Sequence, residues 1–123
     1  MRRRPRERAV TAIQVAMAMP SVLFLLLATV QFAFYEFAGQ VALSAAQRGL
    51  VAATVQGGTP AAGRSAALTV VNQQRNLLGG PVATVSESGG TVTVEVTGTA
   101  MQILPGLSLP VDRTAAGPME PTP

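Results

Sequence analysis

Residues 9–35, AVTAIQVAMAMPSVLFLLLATVQFAFY, form a run of 27 residues without a formal charge, bounded by Arg8 and Glu36. At a helical rise of ~1.5 Å per residue, about 20 apolar residues cross the hydrocarbon layer of a bilayer, so the run is long enough with margin at both ends. Ten of the residues between positions 15 and 34 are Val, Leu or Phe. At roughly 0.3 to 0.6 kcal/mol each they favour insertion by about 3 to 6 kcal/mol, before Gln31, Pro20 and the small polar residues subtract their share. The run predicts a membrane anchor, and membrane lipid is its first expected partner.

The charges flanking the run predict an orientation. Arg2, Arg3, Arg4, Arg6 and Arg8 with Glu7 place +4 before it, whereas the four arginines and five acids after Tyr35 sum to −1. Basic residues directly beside a span favour the cytoplasmic side. The expected topology is therefore a single pass through the cell (inner) membrane, with residues 1–9 a basic cytoplasmic leader and the C-terminal part outside. A basic cluster can also bind nucleic acid, but one placed against a span reads as a topology signal and no nucleic-acid partner is expected. A cleaved secretory signal fits less well, because the uncharged run is nearly twice the ~15-residue upper length of a signal peptide's apolar region. A cut near Leu43, Ser44 and Ala45 remains the place for one.

Beyond the anchor, residues 36–123 suffice for one small domain. Its apolar content is mostly Ala and Val, with Phe37 its single aromatic, and the chain has no Cys to staple a thin core. Stability drawn from the membrane, from neighbours or from assembly points to a subunit. The chain also lacks His and Lys. Most nucleophilic, general-base, Schiff-base and transition-metal chemistry is thereby removed, and the scattered carboxylates show no paired spacing. No enzyme activity and no cofactor are expected.

No turn signal follows the anchor, so one helix is predicted from Val10 to about Val55, its inner half (10–35) in lipid. Pro20 removes one backbone donor and should bend the helix without ending it. Gln31 reads either as a residue at the membrane interface or as a polar contact to another helix. After Tyr35 the pattern becomes amphipathic. Glu36, Gln40, Ser44, Gln47 and Arg48 share one side, and Ala38, Val41, Ala42, Ala45, Gly49 and Ala53 the other. Gly39 and Gly49 each weaken a helix by about 1 kcal/mol relative to Ala, so a bend or break is expected there. Gly57 and Gly58 break it outright. Thr59 then offers an N-cap and Pro60 the first position of a second helix through Leu78, with an inner face of Ala67, Val70, Val71, Gln74, Leu77 and Leu78, capped by Gly79 and Gly80.

The remainder reads as strands. TVTVEVT, residues 91–97, alternates strictly and should pair with residues 82–86 across Glu87, Ser88, Gly89 and Gly90. Since a lone hairpin is marginal, residues 111–116 are expected to add a third strand. The fold class predicted is α+β: a long N-terminal helix continuing into a small outer domain (36–116) with a second helix and a two- or three-stranded antiparallel sheet. Residues 117–123, with three prolines, should be extended or disordered.

This order of parts resembles a type IV pilin, and more specifically the TadE-like proteins, minor pilins or pseudopilins of tight-adherence (Flp) systems. The residues that carry the resemblance are Ala12-Ile13-Gln14-Val15-Ala16-Met17-Ala18-Met19-Pro20, then Val30-Gln31-Phe32, then Ala45-Ala46-Gln47-Arg48-Gly49. The resemblance implies cleavage by a prepilin peptidase between Ala9 and Val10, and assembly with other pilin-like subunits and pilus assembly proteins through the helix at Gln14, Pro20 and Gln31. It also implies a location in the envelope or, within a pilus, at the cell surface. Ala9 stands where the family has Gly, and Gln14 where it has the Glu that neutralises a neighbour's terminal amine. Gln can bond to the amine without supplying charge, so a low-copy accessory subunit or an unprocessed membrane protein is expected in preference to a filament-building pilin. The alternative reading is a single-pass membrane protein whose outer domain is an adhesin or regulatory module unrelated to pili.

Overall fold

The computed structural model describes residues 5–55 and 57–119. It is an α+β structure of five elements: α1 (Pro5–Thr54), α2 (Pro60–Gln73), β1 (Leu78–Ser88), β2 (Thr91–Ala100) and β3 (Pro110–Pro118). The strands form one antiparallel sheet in the order β1-β2-β3. Helix α1 lies across β2 and β3, and α2 fills the angle between α1 and β1.

Helix α1 is a single rod of 50 residues. It begins at Pro5, five residues before the predicted start at Val10, because proline suits the first helical turn and arginine is a good helix former. Pro20 lies within the continuous helix, as expected from its place in an apolar run. The predicted two-sided pattern of the outer half is observed. Glu36, Gln40, Ser44, Gln47 and Arg48 are exposed, whereas Ala38, Ala42, Ala45, Gly49 and Ala53 are buried and Val41 is half-buried against the core.

The helix neither ends nor breaks at Gly39 or Gly49. Both are places of close approach. A Cβ on Gly49 would lie 2.8 Å from the Gly63 carbonyl oxygen and 3.1 Å from Val94 Cγ1, and a Cβ on Gly63 would lie 2.8 Å from Ala53 Cβ. Two glycines thus let α1 and α2 pack backbone to backbone, and the contact offsets what each costs in helical propensity. At Gly39 the missing Cβ makes room for the Arg113 guanidinium from β3.

Helix α2 starts as expected, with the Thr59 hydroxyl accepting from the Ala62 backbone N–H at 3.1 Å and Pro60 in the first position. It ends five residues early. The Gln74 N–H bonds to the Val71 carbonyl at 3.1 Å, a tight final turn, and Leu78 already belongs to β1. Gly63, Ala67 and Val71 form the buried face; Gln74 is exposed and Leu77 half-buried, so neither joins it. Leu78 is fully buried, but as a strand residue opposite Ala100, with its side chain lying over Gly98. Gly79 and Gly80 are therefore not a helix cap. They sit at an irregularity between Gly79 and Val82 where the pairing shifts by one residue, so that Leu78 and Ala83, of opposite parity, both face inward.

The hairpin turns through Gly89 and Gly90, with φ of 58° and 81°, the positive pair that a two-residue loop between Ser88 and Thr91 requires. Val92, Val94 and Val96 are buried beneath the helices. The third strand is longer than expected and continues through Pro118. Residues 117 and 118, placed in the tail by sequence, are paired with Val92 and Thr91, and Met119 N–H bonds to the Gly90 carbonyl at 2.8 Å. Residues 120–123 lie outside the described residues. The core is built mainly from Ala and Val, Leu78 being its largest fully buried side chain.

Candidate functional site

From Ala9 to Leu26, α1 is an apolar surface left exposed by the described residues. Val10, Ile13, Met17, Leu23, Phe24 and Leu25 are all more than half exposed. The helix contains an 18-residue window of mean hydropathy 2.1, none of it buried, and is long and apolar enough to cross a membrane. Exposing a large apolar side chain to water forgoes roughly 1.5 to 3 kcal/mol, which explains why such a surface requires lipid or protein around it. Its hydroxyls are turned inward: Thr29 Oγ1 donates to the Leu25 carbonyl at 2.8 Å and Ser21 Oγ to the Met17 carbonyl at 3.4 Å, one turn back along the helix.

Among the described side chains of α1, the first that is buried is Gln31, 2% exposed. Its amide engages the segment between β2 and β3 from both ends. Nε2 donates to the Met101 carbonyl at 2.9 Å, while Oε1 accepts from the backbone N–H of Ile103 at 2.7 Å and of Leu104 at 3.3 Å. The edge of the sheet domain nearest the exposed apolar part of α1 is thus pinned to the helix. Beside it, Ala28, Gln31, Phe32 and Tyr35 of α1 and Leu104, Leu107 and Leu109 of the loop line an open groove of about 270 Å³.

The Gln31 amide is committed within the chain, to the loop and not to a separate helix. On the loop side the outer domain reaches along α1 to Ala28. Residues 9–27 cover ~28 Å at ~1.5 Å per residue, close to the ~30 Å of a hydrocarbon core.

The other predicted positions are spread along the rod and do not converge. Ala9, Val10, Gln14 and Pro20 are exposed on α1. Gln14 lies 17 residues from Gln31, ~25 Å along the helix axis. The proposed cut between Ala9 and Val10 falls in the second turn of a helix that starts at Pro5. Arg6 and Arg8 occupy the first turns of that helix, and Arg2, Arg3 and Arg4 lie outside the described residues. Among the described residues, no group of three or more His, Cys, Asp and Glu stands close enough to hold a metal ion.

Sequence reasoning missed the 101–109 loop, MQILPGLSL, as the partner of Gln31. Its signal was present: nine uncharged residues, five of them Met, Ile or Leu, between two strands of a half-solvated sheet. No family model, curated protein or solved structure matches the chain.

Proposed function

We propose that the protein is a non-enzymatic, pilin-like subunit of an envelope pilus or secretion apparatus, anchored by the inner half of α1 and assembling through that same surface. The observation that carries this reading is the division of one uninterrupted helix. Its N-terminal half presents exposed apolar side chains on every side, while its C-terminal half lays an Ala and Gly stripe on a three-stranded sheet. A rod of this kind can stand in lipid as a monomer, and it can exchange lipid for neighbouring helices, since both burials satisfy the same apolar surface. The resemblance of residues 12–49 to TadE-like minor pilins favours the second use. It assigns Gln14 to contact with a neighbouring subunit, the Arg-rich leader to the cytoplasm and the sheet domain to the outside.

The test is the mass and crosslinking state of the full chain extracted from membranes that contain or lack a prepilin peptidase. Loss of residues 1–9 only where the peptidase is present, with crosslinks to pilin-like subunits, supports the proposal. A leader intact in both samples removes processing. An intact chain that also remains uncrosslinked in its native membrane overturns the subunit reading in favour of a single-pass protein with an independent outer domain.

A further inference from the structure

The 101–109 loop lies beside the point where the exposed apolar surface of α1 ends. Leu104, Leu107 and Leu109 face Ala28 and Phe32 across the groove, and one turn before Ala28 the same face of the helix carries the exposed Phe24 and Leu25. Charge begins only on the far side, at the exposed Glu36, one turn beyond Phe32. The loop itself carries none.

Part of its backbone is paired within the chain, which lowers the cost of a water-poor setting in which each unpaired peptide group is costly. The N–H groups of Ile103 and Leu104 are taken by Gln31, that of Leu107 bonds to the Leu104 carbonyl at 3.2 Å, and Pro105 and Pro110 have no N–H to satisfy. The carbonyl of Leu109 accepts from Ala100 N–H at 3.0 Å, and that of Met101 from Gln31. Leucine stands at the exposed tip of the loop, where Leu107 is 38% exposed.

We infer that this loop is a second membrane contact, in which Leu104, Leu107 and Leu109 together with Phe32 seat the upper acyl chain of a lipid in the leaflet nearest the domain. The inference rests on the anchored reading of α1. It adds that the domain is held against the bilayer surface and does not swing on the helix: anchor and loop fix two points, and Gln31 ties them together. The depth follows from the ~28 Å of helix that precede Ala28, which brings the groove to the hydrocarbon boundary when the remainder is immersed.

The chain contains no Trp, so single-tryptophan variants report unambiguously. The full-length protein is reconstituted in phosphatidylcholine vesicles with and without bromine on the acyl chains, carrying Leu107→Trp, Phe24→Trp in the anchor, or Val82→Trp on the exposed part of β1. Leu107→Trp should be blue-shifted and strongly quenched by bromines placed near the headgroup, Phe24→Trp by bromines placed deep, and Val82→Trp by neither. A Leu107→Trp emission that stays red and unquenched beside a quenched Phe24→Trp overturns the loop contact while leaving the anchor standing. A blue-shifted but unquenched Leu107→Trp overturns it in favour of a protein partner in the groove. Failure of Phe24→Trp to quench removes both the anchor and the inference. Circular dichroism establishes that each variant is folded, and Leu107→Cys carrying an environment-sensitive dye repeats the measurement with a residue smaller than leucine.

Discussion

Replacing Gln31 by leucine preserves approximate volume and apolar packing but removes all three hydrogen bonds to the 101–104 backbone. Two of these are short, at 2.7 and 2.9 Å, and the third is long at 3.3 Å and shares the same acceptor oxygen. A typical net contribution is about 1 kcal/mol per bond, and a donor left dry costs about 1 to 3 kcal/mol. The loop can instead open and rehydrate those groups, so the loss is bounded by the cost of opening. About 2 kcal/mol is the expected local destabilisation, equivalent to roughly 30-fold faster exchange of the protected amides. Hydrogen exchange of the full chain in nanodiscs, resolved to Ile103, Leu104 and Leu107, reads this directly. Val94, buried in the central strand, should change far less, and Gln40→Leu on the exposed side of the same helix should change nothing. Loop amides that exchange at the wild-type rate in Gln31→Leu would exclude Gln31 as the staple, as would equal acceleration at Val94, which signals global loosening.

Three further outcomes follow from the packing. Gly63→Ala places a methyl 2.8 Å from both Ala53 Cβ and the Gly49 carbonyl oxygen; overpacking of about 1 to 3 kcal/mol should exceed the ~1 kcal/mol gained in helix propensity and lower the thermal midpoint in detergent. Leu78→Ala empties the largest fully buried position and should cost about 2 to 5 kcal/mol, seen as a shifted denaturant midpoint with little change in slope. Leu25→Arg sets a charge in the middle of the exposed apolar surface and should oppose insertion by about 3 kcal/mol, read as a smaller membrane fraction after alkaline extraction.

The two ends of α1 obey different constraints, and this sets how the protein tolerates change. From Val10 to Leu26 the helix presents exposed apolar side chains that make no close packing within the described residues, so apolar residues of varied shape should replace them at little cost to the fold. The outer half answers to Gly63, Ala67 and Val94, where a single added methyl meets backbone or a buried side chain. The thin core follows from this second constraint. With Ala and Gly at the helix crossings, close approach of backbones supplies contact that larger side chains supply elsewhere. The Arg113 guanidinium over Gly39 extends the same device to the helix–sheet interface.

Much of the architecture is legible in the sequence because it depends on short periods. The valines of residues 91–97 alternate with period two, the Gly89-Gly90 pair demands a tight turn, the Ala and Gly stripe repeats with the helical period, and Thr59-Pro60 announces a helix start. Each signal is local, and each is where the structure has it. What the tertiary structure decided was set by contacts far along the chain. Leu77 and Leu78 continue a helical pattern, yet Leu78 is drawn into a strand by its burial against Ala100 and Gly98, and the Gly-Gly pair that reads as a cap becomes an irregularity in that strand. Gln31 reads as one polar residue in a span, while its partners stand 70, 72 and 73 positions away. No window of hydropathy contains both. The apolar helix was therefore legible in the sequence alone, and where its exposed apolar surface ends was settled only when the loop between β2 and β3 folded back onto Gln31.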